Sequence, residues 1–174
     1  LSILTDEKFF KGKDSHLVGI REIVDIPIIR KDFILDSYQL YESKMLGADC
    51  ILLILSMIDI NLAKDLEAEA IDIGLDVLIE THNKKEMNNA LTMKSELVGV
   101  NNRNLNDFTV DIDNTISLTG TSFSDKIYVS ESGIKSRSDI NYIVNKSPAR
   151  TFLVGESLMR SERLEEQIRT LLSY

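Results

Sequence analysis

The sequence predicts an α/β protein built on a parallel sheet, and three observations carry that prediction. Short apolar runs alternate with helical stretches from one end of the 174 residues to the other, a pattern that implies right-handed crossovers between parallel strands. Some runs are apolar on both faces, as in Cys50-Ile-Leu-Leu-Ile54, which suits a strand covered by helices on two sides. The segment Asp25 to Leu35 drives charges into one of the most apolar stretches of the chain. A buried parallel strand has room for Lys31 only where it ends, so Lys31 belongs at a carboxyl end.

In chain order, Ser2–Thr5 reads as a short strand, followed by a loop with Phe9, Phe10 and Gly12. Ser15–Val24 has Leu17, Ile20, Ile23 and Val24 at helical spacing. Ile28–Lys31 is a strand, and Ser37–Leu46 a helix stopped by Gly47. Cys50–Ile54 is a strand, and Asp59–Ile73, closed by Gly74, a helix with Leu62, Leu66, Ala70 and Ile73 on one stripe. Val77–Glu80 is a strand ending in a carboxylate, with Lys84–Met93 helical after it. Leu97–Val100 is a strand, and Ile112–Leu118 a short helix. Ile127–Ser130 is a strand, and Ser136 with Asp139 makes a capping-box start for a helix to Val144. Thr151–Val154 is a strand, and Leu164–Leu172 is an amphipathic helix. The expected count is seven strands and seven helices.

Polar residues follow nearly every strand: Lys31, Glu80, Asn101 with Arg103, Glu131 with Gly133, and Gly155. An open doubly wound sheet gathers such residues near one switch point, whereas a closed β/α barrel spreads them over many strand ends. The expected fold is therefore a parallel (β/α)8 TIM barrel, incomplete, with about seven units in one partial domain over residues 1–174. A barrel has eight strands and about 250 residues, so one unit is expected to be missing at the amino end. The first and last strands would then expose open sheet edges, suited to self-association or a partner chain.

Composition excludes several functions. A net charge of −8 with a pI near 4.8 and no basic stripe argue against nucleic acid. No apolar run reaches the roughly 18 residues of a membrane span and no signal peptide is visible, so the expected location is cytoplasmic, without membrane contact. The single Cys50 lies in an apolar run and reads as a small buried hydrophobe. His16 and His82 stand without ligand spacing around them, so neither a metal nor another cofactor is expected. His16 caps or precedes a helix, and His82 follows Glu80 closely enough to line the same mouth.

Strand alternation puts Lys31 and Phe33 on one face, a place for an anionic, partly aromatic ligand. Lys31, Glu80 and Glu131 bring one ammonium and two carboxylates to three strand ends, with Asn101 available to orient a hydroxyl. Such groups in a partly dry cavity perturb one another, which suits a lysine general acid and glutamate acid/base chemistry; a ring of structural ion pairs is the plainer alternative. Arg103 is either a fork for a carboxylate or a surface ion pair. Phe10 and Phe33 either wall an apolar pocket or cap the core. The turns Ser130-Glu-Ser-Gly-Ile134 and Val154-Gly-Glu-Ser157 each follow a strand. They are either tight turns needing positive φ or, as a pair, a backbone phosphate site. In the second case the Glu156 side chain must point away.

Six blocks of the sequence closely resemble indole-3-glycerol phosphate synthase: Ser-Ile-Leu-Thr-Asp-Glu-Lys-Phe-Phe at 2–10, Ile-Arg-Lys-Asp-Phe-Ile at 29–34, Gly-Ala-Asp-Cys-Ile-Leu-Leu-Ile at 47–54, Val-Asn-Asn-Arg-Asn-Leu at 100–105, Val-Ser-Glu-Ser-Gly-Ile at 129–134 and Leu-Val-Gly-Glu-Ser-Leu-Met at 153–159. The resemblance runs the length of the chain and implies a lyase of tryptophan biosynthesis. Such an enzyme closes the indole ring of 1-(2-carboxyphenylamino)-1-deoxyribulose 5-phosphate with loss of carbon dioxide and water. It implies Lys31 as the general acid on the substrate carbonyl, Glu80 as the acid/base of dehydration, Asn101 on a substrate hydroxyl, and Glu131 with Arg103 supporting the charged mouth. It implies Phe10, Phe33 and Leu52 around the anthranilate ring, Ser132 and Leu153 lining the site, and backbone groups of Gly133, Gly155 and Glu156 on the phosphate. The expected partner is thus a small sugar phosphate. The family's first-strand motif, Glu-x-Lys-x-x-Ser-Pro, is absent from these residues, so the chain alone is expected to be nearly inactive. A non-catalytic phosphate-ligand binder or self-associating barrel fragment is the alternative.

Overall fold

The computed structural model describes residues 1–105, 107–120 and 125–172, and the chain divides into two compact units. No helix among the described residues is long and apolar enough to cross a membrane.

The first unit comprises Leu1–Glu80 with Thr92–Glu96. It holds β1 (Ser2–Leu4), α1 (Asp14–Arg21), β2 (Ile29–Lys31), α2 (Tyr38–Leu46), β3 (Cys50–Ile54) and α3 (Ile60–Asp72), and β4 (Asp76–Thr81) lies in it up to Glu80. Its strands pair in parallel in chain order, Leu4 beside Lys31, Ile29 beside Cys50 and Ile54 beside Glu80. Leu17, Ile28 and Ala48 form a buried cluster joined by Ile3, Ile20, Val24 and Leu46, so α1 is fastened to the foot of β2. The helix ends follow local chemistry. Asp59 caps α3 through Asn61 N–H, and Gly47 ends α2 at φ 95°, a left-handed conformation that a side chain resists. Glu67 on α3 is buried and accepts the backbone N–H groups of Lys94 and Ser95. That explains why residues 92–96 return to this unit.

The second unit comprises Thr81–Leu91 and Leu97–Tyr174. It contains α4 (Lys84–Ala90), β5 (Leu97–Asn101), α5 (Asp113–Thr119), β6 (Ile127–Glu131), α6 (Arg137–Lys146), β7 (Thr151–Leu153), α7 (Glu156–Met159) and α8 (Leu164–Leu172). β5, β6 and β7 are parallel, and Asn101 lies beside Glu131, which lies beside Leu153. Ser136 and Asp139 form the expected capping box of α6. Among the described residues, seven strands stand where the sequence puts them, and Cys50–Ile54 and Leu164–Leu172 match in full. The helix after Lys84 stops at Ala90, short of the expected Met93, because the chain turns there to reach Glu67. The short α7 makes eight helices among the described residues, one that apolar periodicity could not announce in four residues.

Candidate active site

In the first unit, β2 ends on Lys31 and β4 carries Glu80 near its own end. The Lys31 ammonium lies 3.4 Å from the Glu80 carboxylate, with side-chain exposures of 15% and 4%. β3 runs between the two strands, with Ile54 beside Glu80 and Leu52, 3% exposed, beside Leu78. The β1–α1 loop adds aromatic rings: Phe33 meets Phe10 at a centroid distance of 6.3 Å and Phe9 edge-on at 5.8 Å. Phe9 and Phe10 are both largely exposed, so neither is buried in a core. Asp6 holds this loop by accepting the N–H groups of Phe9 and Phe10. Gly12 closes it where any side chain would run into the Leu4 carbonyl.

On the opposite face of β2 lies Arg30, an anchor that sequence reasoning passed over. It is 3% exposed, and its guanidinium reaches Thr5, Asp14, Asp32, Glu42 and Ser43 at 2.8–3.2 Å. Asp32 also accepts the Thr5 hydroxyl and the Phe33 N–H. One buried cation thereby fixes the backbone on both sides of Lys31. Burial pushes the Asp14 carboxyl above its ordinary range, opposed by the Arg30 charge and reinforced by Glu42 and Asp32. The signal for this cluster was legible in principle: strand alternation sends Arg30 toward the helices, where Asp14 and Glu42 are at hand.

In the second unit, the predicted residues Asn101, Glu131 and Leu153 form one row across β5, β6 and β7. Glu131 is 1% exposed, while Leu153 is half-buried. The Asn101 side chain accepts the N–H of Arg103 at 3.0 Å. After β6, Ser132 and Gly133 both adopt left-handed φ, 64° and 83°. A side chain on Gly133 would collide with Val110 and Ile112, so this turn requires its glycine. Gly155 lacks the positive φ of the tight-turn alternative: its φ is −122°, and a side chain there would meet open space. The Ser157 hydroxyl donates to the Ile134 carbonyl at 2.8 Å and ties the two turns together.

Arg103 is engaged by its own chain, pairing with Glu156 at 2.5 Å, and Arg160 joins the same carboxylate at 3.1 Å. The hydrogen bond and charge of Arg103 hold the Glu156 carboxyl below its usual range. His16 lies inside α1 and does not cap it. The His82 ring lies 3.3 Å from Glu86, and its carbonyl is 3.5 Å from the Asn114 amide. Cys50 is half-buried, and desolvation, with Asp76 adding to it, pushes its thiol up to about 12. No group of three or more possible metal ligands occurs among the described residues.

A family model described as Indole-3-glycerol phosphate synthase matches residues 1–171. The chain belongs to the indole-3-glycerol phosphate synthase family. An indole-3-glycerol phosphate synthase from Azospirillum brasilense is 47% identical over 173 residues, covering 99% of this chain and 66% of that protein. One from Burkholderia lata is 46% identical over 168 residues, covering 97% and 64%. The chain therefore spans just under two thirds of these relatives' length. A tryptophan synthase alpha-subunit from Pyrococcus furiosus superposes with a TM-score of 0.74 at 14% identity, covering 100% of this chain and 85% of that one. At that identity the likeness concerns the fold, the TIM-barrel fold, with seven of its strands among the described residues. For an indole-3-glycerol phosphate synthase chain, the residues that sequence reasoning missed are Phe9, Arg30, Asn102 and Ser157. Each acts through a contact distant in sequence.

Proposed function

We propose that this chain carries the indole-3-glycerol phosphate synthase reaction, the decarboxylation and dehydration that close an indole ring on a 1-(2-carboxyphenylamino)-1-deoxyribulose 5-phosphate. The observation that carries this reading is the Lys31–Glu80 pair at 3.4 Å, two opposite charges withdrawn from water at two strand ends. A buried ion pair is costly to build for stability alone, and the same pair is suited to moving protons. Lys31 protonates the substrate carbonyl oxygen as the ring carbon attacks the carbonyl carbon, and Glu80 serves the later loss of water. Phe10, Phe33 and Leu52 hold the anthranilate ring. Asn101 orients a hydroxyl, Arg103 and Glu131 support the charged mouth, Ser132 and Leu153 line the site, and the backbone of Gly133, Gly155 and Glu156 holds the phosphate. The partner is thus a small phosphorylated substrate, with no metal or cofactor in the scheme. The reading carries a cytoplasmic location with it, where such an intermediate is made and used.

Fluorescence-detected formation of indole-3-glycerol phosphate tests the proposal, using this chain and a longer chain that includes the Glu-x-Lys-x-x-Ser-Pro segment. Product from either chain, abolished by Lys31→Met, supports the reading. Saturable phosphate binding with no product from either chain favours a non-catalytic binder instead. Sedimentation of the same sample reads whether the sheet edges draw two copies together.

A further inference from the structure

Among the side chains that the proposed chemistry leaves unassigned, Asn102 has the most completely determined surroundings. It is 3% exposed, and its amide uses every hydrogen-bonding position it has. Oδ1 accepts the Thr115 N–H at 3.1 Å and the Thr115 hydroxyl at 2.8 Å. Nδ2 donates to Ser130 Oγ at 3.1 Å and to the Ser132 carbonyl at 3.0 Å. A backbone N–H on one side and a backbone carbonyl on the other leave one orientation for the amide. The Asn102 backbone N–H donates to the Glu131 carbonyl at 2.9 Å. One residue of β5's end thus grips three successive residues at the end of β6.

What it grips is strained. Ser132 has φ 64°, a region that an L-residue leaves unless its surroundings hold it. Gly133 follows in the same region, with Val110 and Ile112 close enough to bar any side chain. The turn thus has no room for a side chain on the Val110 side and is held by hydrogen bonds on the Asn102 side. Thr115 and Ser130 share a hydrogen bond of 2.8 Å that closes the network behind it.

We propose that Asn102 is a positioning residue that holds the Ser132–Gly133 turn in its left-handed conformation so that the turn's backbone can receive a phosphate. It does so without touching the ligand. This inference rests on the reading of that turn as a phosphate site. Asn102→Asp keeps the shape but replaces the two donors with an acceptor that faces the Ser132 carbonyl. Thr115→Val removes one partner of Oδ1 and leaves the bond to Ser132 in place.

The test is a titration of the 174-residue chain with inorganic phosphate, followed by calorimetry and by amide resonances. Asn102→Asp is expected to weaken phosphate about tenfold, because the released turn no longer aims its N–H groups at the anion. Thr115→Val is expected to change phosphate affinity less than about twofold while lowering the melting temperature, the mark of a packing effect. In the unaltered chain, the Asn102 side-chain amide resonance should move with the same midpoint as the Gly133 backbone amide. That measurement decides the matter if Asn102→Asp does not fold. Unchanged affinity in Asn102→Asp, equal weakening in Thr115→Val, or a stationary Asn102 resonance overturns the assignment and leaves the phosphate reading standing. Absence of phosphate binding by the unaltered chain overturns both.

Discussion

The Lys31 ammonium stands 3.4 Å from the Glu80 carboxylate, reaching across β3 from β2 to β4. Because both side chains are mostly buried, removing one partner leaves the other charged in a poor solvent. Lys31→Met is expected to lower unfolding stability by about 3 kcal/mol. Adding Glu80→Met in the same chain should recover more than half of that loss, since an apolar pair has no charge to strand. Urea unfolding of the single and double variants measures both. Additive losses would mean that the pair is not coupled.

Arg30 is the harder residue to replace. Arg30→Met strands Asp14, Asp32 and Glu42 around a neutral side chain and is expected to cost about 3–5 kcal/mol. Asp14→Asn should be far milder, because the fold already disfavours its charge. The Asp14 pKa is raised above its ordinary value, so its contribution is full below about pH 3.8 and fades as pH rises through the higher folded value. Stability curves from pH 3 to 7 should show this decline in the parent chain and lose it in Asp14→Asn.

Glu156 behaves in the opposite sense. Its pKa is lowered by Arg103, so its contribution is present above the ordinary 4.5 and lost as pH falls through the folded value. Glu156 is exposed, so the effect is small and salt should screen it. Carboxyl carbon resonances followed from pH 2 to 7 should place its midpoint below 4.5, and Arg103→Ala should move it up toward the ordinary value, with Arg160 still lowering it.

The Cys50 thiol, pushed up to about 12 mainly by burial, stays protonated under ordinary conditions. Iodoacetamide should label the folded chain at least about tenfold more slowly than the urea-unfolded chain at pH 8, because the thiolate is the nucleophile. Equal rates would mean that Cys50 is open to water. The raised value also means that its contribution to stability holds below about pH 9 and declines toward pH 12.

The strands were readable because each is a short apolar run closed by a charged or glycine turn, and each carries its evidence locally. Lys31 and Glu80 were readable for a related reason: a charge at the end of an apolar run has few structural uses. Arg30 and Asn102 were not singled out, although both lie within blocks quoted for the family resemblance. Their neighbours in sequence say nothing of Asp14, Glu42, Thr115 or Ser132, which give them their work. Gly133 and Gly155 look alike in sequence, yet only Gly133 takes a left-handed conformation, and only there would Val110 and Ile112 bar a side chain.

By itself, the sequence determined the alternation of strands and helices, the parallel sheet and the residues that end each strand. These follow from local periodicity and from the cost of burying charge. Only the tertiary structure decided which charges meet: Lys31 with Glu80, Arg103 with Glu156, and Arg30 with three carboxylates. Pairing energy depends on distances between strands and loops that lie far apart in the chain, and no local pattern records those distances.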